Sequence, residues 1–294
     1  MTPMSPGHGP GPIVLGVDSE PAPLATAWAA DEADRRGLPL RLVHAVPSLT
    51  REFRPLDTGR YHAELRAQAD EAIAAAESAA RERHPGLKVT TVVAEDVAAP
   101  ALCRESAHAS LIVLGTRRLG RLEETLSLSS VTVPVSAQAH CPVVVVGGPE
   151  HPEQDPPSVV VGVDGSAASA AAVRFAADLA ARRQAVLHAV RVRRRIPFAR
   201  IDPPAVEEEI RRLLVASTAD ALAEHPGVRL THEVVRGHPV EELARVSERA
   251  LAVVVGRRGG GGFTGMRLGS VPHGLLRRAR CPVVTVPVPP EHRN

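Results

Sequence analysis

Short, uninterrupted apolar runs recur along the chain and alternate with longer stretches rich in alanine. Runs of mainly Val, Ile and Leu lie at 13–15, 42–46, 111–114, 143–146, 159–161, 186–190, 252–255 and 283–286. Such runs are typical of parallel strands that helices cover on both faces. Apolar residues at helical spacing occupy the stretches 25–36, 63–83, 167–183 and 205–223. The pattern therefore predicts alternating strands and helices joined by right-handed crossovers.

Four of these motifs recur in the same order about half a chain later. The pairs are 13–18 with 159–164, 42–46 with 186–190, 111–115 with 252–256, and 140–146 with 280–286. Their offset is nearly constant, 146 residues at the first pair and 140 at the last. Colinear repetition of this kind predicts a duplicated domain rather than a chance similarity.

A proline-rich segment separates the two copies. Residues 147–157 contain four prolines among polar residues and cannot continue a strand or a helix. We therefore predict domains at 11–148 and 157–289. The predicted fold class is α/β, with two tandem Rossmann-like, doubly wound domains that each hold a parallel sheet of about five strands. Ligands of such sheets bind beyond the carboxyl ends of the strands, where the strand order reverses.

The last strand of each copy carries no charged residue. Both 143–146 and 283–286 are rich in valine, and an exposed edge of that kind would favour aggregation. We expect the two strands to pair with each other as an intrachain pseudo-dimer, with pairing to another chain as the alternative.

Composition narrows the class of protein. The 294 residues are 44% hydrophobic and 23% charged, which is typical of a globular protein. No run approaches the roughly 18 apolar residues of a membrane span, so we expect a cytoplasmic protein without a membrane partner. A net charge of +2 and only six aromatic residues argue against nucleic acid as a partner.

Cysteine and histidine give little sign of a metal or redox centre. Cys103, Cys141 and Cys281 are an odd number without CxxC spacing, so buried reduced thiols are expected. His44 and His188 occupy matching strand positions but have no second ligand at recognisable spacing. Hydrogen-bonded structural histidines are therefore favoured over metal ligands.

A glycine-rich segment follows the strand at 252–255 of the second copy. Gly256, Gly259 and Gly269 would let backbone N–H groups approach a phosphate and adopt positive φ. Ser270 at a predicted helix start adds a hydroxyl and the positive end of the helix dipole. The segment is a candidate polyphosphate cradle, and a flexible surface loop is the alternative. The residues available to balance the charge of a triphosphate are Arg257, Arg258 and Arg267.

The spacing Gly256-x2-Gly259-x9-Gly269-Ser270 resembles the ATP-binding signature of universal stress proteins. The repeated strand motifs agree with it, so the chain is identified as a tandem member of that family. The resemblance implies that Asp164 and Ala189 contact adenosine and that Val255 and Gly256 line its path. It also implies that ribose and phosphates are held by Gly259, Gly269, Ser270 and Val271.

The first copy departs from this signature. Arg118 stands at the spacing of the second glycine, and Glu123 and Glu124 add negative charge to a loop that is expected to face phosphates. Ser129 aligns with Gly269. The matching residues that remain are Asp18, Gly115 and Ser130. The first copy is expected to hold at most a remodelled or weaker site, and the second copy is expected to bind better.

The leading hypothesis is a regulatory module that binds ATP or a related adenine nucleotide, with Mg²⁺ left open as an accompanying ion. It would present a ligand-dependent surface to an unidentified protein partner. The resemblance also implies a homodimer of chains. A slow ATPase or phosphotransferase and a nucleotide-free scaffold are the alternatives, since no general base can be named. Helix capping is the alternative role of Asp18 and Asp164.

Overall fold

The computed structural model describes residues 11–47, 58–116, 131–148, 155–193, 204–260 and 268–288. By its internal contacts the chain divides into two compact units. The first contains residues 1–116 with 139–141, and the second contains 117–138 with 142–294.

Four parallel strands form the sheet of the first unit. Its elements are β1 (Ile13–Gly16), α1 (Pro23–Arg36), β2 (Leu40–Ala45), α2 (Thr58–Arg83), β3 (Val89–Ala94), α3 (Ala98–Glu105) and β4 (Leu111–Gly115). The strand order is β3-β2-β1-β4, so the order reverses beside β1. This is the doubly wound arrangement that the continuous apolar runs predicted.

Six strands form the sheet of the second unit. Its elements are α4 (Thr132–Gln138), β5 (Val143–Val146), β6 (Ser158–Gly162), α5 (Ala167–Arg182), β7 (Val186–Arg193), α6 (Pro204–Glu224), β8 (Leu230–Arg236), α7 (Pro239–Val246), β9 (Ala252–Gly256), α8 (Ser270–Arg278) and β10 (Val283–Val286). The order is β5-β10-β9-β6-β7-β8, and the strands from β10 to β8 are parallel. The order reverses between β6 and β9, which opens a crevice at their carboxyl ends.

The terminal strands of the two sequence copies pair with each other. β5 runs antiparallel to β10 with Val144 opposite Val284 and Val143 opposite Thr285. Every residue of both strands is buried. The predicted pairing of these two uncharged strands is therefore confirmed, and neither strand leaves an apolar edge in solvent.

Helix α5 begins and ends at well-defined residues. The Ser166 side chain caps its start by accepting a hydrogen bond from the Ser169 N–H at 3.1 Å. Gly165, just before the cap, lies in the left-handed region with φ 85°. Gln184, just past the helix end, is also left-handed with φ 51°. The buried face of α5 is largely alanine, which lets the helix approach the sheet closely.

A cluster of charged side chains ties α1 to the end of α2. The Asp31 carboxylate accepts hydrogen bonds from Nε and Nη2 of Arg83, the second at 2.8 Å. Its Oδ1 also lies 2.7 Å from Nε2 of His84. Burial raises the pKa of Asp31, but hydrogen bonds from Arg83 and His84 and the charges of Arg83 and Arg35 outweigh it. The pKa is therefore held below its ordinary value.

Cys141 and Cys281 are buried, Cys103 is partly exposed, and all three thiols are free. No helix within the described ranges is both long enough and apolar enough to cross a membrane.

Candidate functional site

A cavity of about 490 Å³ opens at the carboxyl ends of β6, β7 and β9 in the second unit. This is the crevice at which the strand order reverses. Its volume lies within the range of about 300 to 1,000 Å³ that is usual for small-molecule sites. The predicted site residues that line it are Asp164, Val255, Gly256, Gly259, Gly269, Ser270 and Val271.

One wall of the cavity is apolar. Val190 and Val192 of β7 face Pro239 and Leu243, which come from the start of α7. Sequence reasoning missed Pro239 and Leu243, because α7 carries no motif and reaches the crevice only through the crossover from β8 to β9. Leu243 at 3% exposure belongs to the core as well as to the wall. This wall suits a flat apolar group such as a nucleobase.

The start of α8 forms a second part of the cavity wall. Gly269 is the N-terminal cap of this nine-residue helix and supplies no side-chain hydrogen bond. The Gly269 N–H is bound to the Arg257 carbonyl at 2.9 Å. The N–H groups of Ser270 and Val271 have no partner among the described residues. These two donors, the Ser270 hydroxyl and the positive end of the helix dipole are groups that can attract an anion.

Arg258 lines the cavity, whereas Arg257 does not. The Arg257 backbone is fixed on both sides, because its N–H bonds to the Val286 carbonyl at 2.7 Å and its carbonyl accepts from Gly269. Burial, and next the neighbouring charge of Arg258, lower the pKa of Arg257. Arg258 is therefore the cation placed to meet an anion in the cavity, and its charge disfavours the charged form of Arg257.

Asp164 lies at the carboxyl end of β6 and accepts two backbone hydrogen bonds. Its Oδ1 accepts from the Ser166 N–H at 2.9 Å, and its Oδ2 accepts from the Gly260 N–H at 3.2 Å. Burial raises the pKa of this carboxyl, but hydrogen bonds from Ser166, Gly260 and Ser169 outweigh it and hold the pKa below its ordinary value. The cap of α5 is Ser166, so Asp164 does not take the helix-capping role that was its alternative.

The predicted glycines are required for different reasons. A Cβ on Gly256 would lie 2.7 Å from the Ala168 carbonyl carbon, and one on Gly259 would lie 2.3 Å from Asp164 Oδ2. Gly269 has extended backbone angles, φ −68° and ψ 159°. Among the described glycines only Gly37 and Gly165 are left-handed, so the expectation of positive φ in the cradle is wrong for those of its glycines that are described.

The remaining predicted residues lie elsewhere. Ala189 is fully buried and is not part of the cavity wall, although its neighbour Val190 is. Asp18 lines a separate cavity of about 480 Å³ between α1 and α2, and its Oδ1 accepts from the Ser19 N–H at 2.7 Å. Gly115 does not line that cavity, and its Cβ position is 2.6 Å from Ala22 Cβ. Ser130 lies outside the described residues, as do Arg118, Glu123, Glu124, Ser129 and Arg267.

Neither histidine of the repeated motif belongs to a metal cluster. His188 Nε2 lies 2.9 Å from Glu233 Oε2 on the neighbouring strand. His44 is buried, and that burial lowers its pKa despite the nearby charge of Asp18. Within the described ranges no three His, Cys, Asp or Glu side chains are grouped so as to hold a metal ion.

The sequence matches the Universal stress protein family twice, over residues 11–147 and 157–287. The chain therefore belongs to this family and is a tandem member of it. It is 37% identical to a universal stress protein of Mycobacterium tuberculosis strain H37Rv, over 96% of this chain and 98% of the relative.

A solved structure shows the same fold over nearly the whole chain. A crystal structure of a universal stress protein from Archaeoglobus fulgidus DSM 4304 has a TM-score of 0.72 at 18% identity. The match covers 94% of this chain and 96% of that one. A universal stress protein solved in complex with cAMP is 26% identical, covers 44% of this chain and 96% of its own, and has a TM-score of 0.37.

Proposed function

We propose that the second sequence copy binds an adenine nucleotide, with ATP as the leading ligand, and that the bound state regulates an interaction with a protein partner. The observation that carries this proposal is the cavity at the β6 and β9 ends. It combines an apolar wall with N–H donors at the start of α8 that have no partner among the described residues. An apolar pocket with a few convergent polar groups is the usual form of a small-molecule site.

The two sides of the cavity would hold the two ends of the nucleotide. The base would lie against Val190, Val192 and Leu243, where burial of apolar area favours binding. The phosphates would accept hydrogen bonds from the Ser270 and Val271 N–H groups and from Arg258.

An accompanying Mg²⁺ ion would depend on the phosphates. Both carboxylate oxygens of Asp164 already accept backbone hydrogen bonds. The Ser270 hydroxyl is a further oxygen in the wall. The phosphate oxygens and water would therefore supply most of the coordination, as is common for Mg²⁺.

Binding rather than turnover is the role that these residues favour. Asp164 is the one carboxylate among the described residues that line the cavity, and both of its oxygens are engaged. No histidine lines the described wall either. A regulatory module that changes its surface with the ligand needs no general base.

The proposal predicts one tight nucleotide site per chain. The first copy has Arg118 at the spacing of Gly259 and two glutamates in the same loop, whereas the second keeps all three glycines. Titration calorimetry with ATP counts the sites. Two sites of equal affinity would contradict the assigned difference between the copies.

The direct test is to denature freshly purified protein and to identify any released nucleotide by chromatography and mass spectrometry. Val192→Glu places a charge on the apolar wall and is expected to weaken both AMP and ATP at least tenfold. Val235→Glu is the matched control, because Val235 is the half-buried register partner of Val192 outside the cavity wall. The proposal fails if neither nucleotide binds the wild type, or if both variants behave alike.

A further inference from the structure

Asp164 joins two segments that are distant along the chain. One oxygen of its carboxylate accepts from Ser166 in the turn after β6, and the other accepts from Gly260 in the loop after β9. Asp164 and Gly260 are 96 residues apart in sequence. The carboxylate therefore bridges the segments that follow β6 and β9, and it does so at the wall of the cavity.

The surroundings of this carboxylate are shaped to receive it. Gly165 is left-handed with φ 85°, which turns the chain so that the Ser166 N–H meets Oδ1. The missing side chain of Gly259 leaves the space that Oδ2 occupies, since a Cβ there would be only 2.3 Å away. Because hydrogen bonds hold the pKa of Asp164 below its ordinary value, the group is a charged acceptor at neutral pH.

We propose that Asp164 is a positioning residue that fastens the Gly259–Gly260 segment of the glycine-rich loop in the ligand-free protein. A loop held in place before binding lowers the ordering cost that a ligand must otherwise offset. The benefit to a ligand rests on the proposed nucleotide site, whereas the fastening itself is a property of the protein alone.

The first copy keeps the aspartate of this contact but has no glycine at the position that matches Gly259. Asp18 corresponds to Asp164, but its Oδ1 accepts from the adjacent Ser19 N–H. Arg118 stands in the sequence where the second copy has Gly259. A loop following the path of the second copy would there direct a Cβ into the carboxylate. The replacement of Gly259 by Arg118 is therefore a steric difference between the two sequence copies, independent of loop charge.

Amide hydrogen exchange of the ligand-free full chain tests the contact. In Asp164→Ala, exchange in peptides spanning 256–260 is expected to rise about tenfold or more, as for the loss of a charge-assisted hydrogen bond. Asp164→Asn keeps an oxygen acceptor and is expected to restore part of the protection. Asp18→Ala is the matched control and is expected to leave these peptides unchanged.

Gly259→Ala is a second variant, which disturbs the contact between Asp164 and the loop without changing the carboxylate. Its Cβ is expected to displace the loop and to raise exchange in the same peptides, even if Asp164→Ala does not fold. Unchanged exchange in the folded variants would overturn the proposal, as would equal exchange in Asp164→Asn and Asp164→Ala. Calorimetry with ATP is run separately. If the wild type binds no nucleotide while the exchange pattern holds, the proposed function fails and the loop contact stands.

Discussion

Gly256 lies so close to Ala168 that a Cβ at position 256 would be 2.7 Å from the Ala168 carbonyl carbon and 2.8 Å from its oxygen. Gly115 in the first unit has a similar relation to Ala22, with a Cβ-to-Cβ distance of 2.6 Å. In each sequence copy, the glycine that ends the strand permits a helix start to pack against it. These glycines would be needed for folding even without a ligand.

Gly256→Ala is therefore expected to lower the free energy of unfolding by about 1 to 3 kcal/mol, as overpacking against a backbone usually does. Urea denaturation of the nucleotide-free chain measures the change. Gly260→Ala is the control, because its Cβ would meet its nearest neighbour, Ser166 Cβ, at an ordinary 4.0 Å. Equal stability of the two variants would contradict the packing role of Gly256.

Gly269 gives the opposite expectation. Its backbone is extended, and the nearest atom to an added Cβ is the Arg257 carbonyl oxygen at 3.4 Å. Gly269→Val should lower the unfolding free energy by no more than about 1 kcal/mol, the cost of a poorer N-terminal cap, since no described atom lies closer than 3.4 Å to the added Cβ. ATP affinity should still fall at least tenfold, because Gly269 is part of the cavity wall and precedes the Ser270 and Val271 N–H groups that would bind the phosphates. AMP affinity should fall less.

Calorimetry with both nucleotides on the Gly269→Val variant separates the two effects. A large loss of stability would show that the valine disturbs the fold, and equal weakening of AMP and ATP would argue against a phosphate role at this end of the cavity. Unchanged ATP affinity would remove Gly269 from the proposed site.

Gln184 lies just past the C-terminal end of α5, and its backbone conformation allows a test of stability. It is left-handed with φ 51°, a conformation that costs an L-residue roughly 1 to 2 kcal/mol. The first copy has Gly37 just past the end of α1, with φ 62°. Gln184→Gly is expected to stabilise the chain by about 0.5 to 1 kcal/mol, after the entropy cost of glycine is subtracted. Gly37→Gln should destabilise it, and thermal unfolding of both variants checks the pair.

The Asp31 carboxyl makes the free energy of unfolding depend on pH. Because its folded pKa is lowered from the ordinary 3.8, its contribution is present above pH 3.8 and is lost as pH falls through the folded pKa. Asp31→Asn should cost about 1 to 2 kcal/mol at neutral pH, an estimate reduced because Arg83 is half exposed. The difference from wild type should shrink as the pH falls from neutral to below 3.8 and through the lowered folded pKa of Asp31. Urea denaturation at both pH values measures it, and a constant difference would contradict the assignment.

The repeated strand motifs were sufficient to predict most of the fold. Continuous Val-rich runs predicted parallel strands, and the two uncharged terminal strands predicted the pairing of β5 with β10. Both inferences concern whole strands and rest on local composition and on the cost of an exposed apolar edge, whereas the register that sets Val144 opposite Val284 was not predicted. These constraints act on every residue of a strand, so several neighbouring residues in one sequence carry the same signal.

The residues that line the site were harder to predict from the sequence. Nothing in the sequence distinguishes Arg257 from Arg258, because which of them faces the cavity depends on how the chain turns after β9. Leu243 reaches the wall through a crossover helix and has no motif. The glycines share one motif but serve three purposes, since Gly256 faces a helix backbone, Gly259 a carboxylate and Gly269 the cavity. Spacing identifies such positions without revealing what lies opposite them.

The antiparallel joint between β5 and β10 brings together strands that lie in different sequence copies of one polypeptide. Their encounter is therefore intramolecular, at an effective concentration of the order of millimolar for a short tether. Dilution therefore does not separate the two strands, and the fraction of chains in which they are paired does not depend on protein concentration. The same joint made between separate chains would instead vary with expression level.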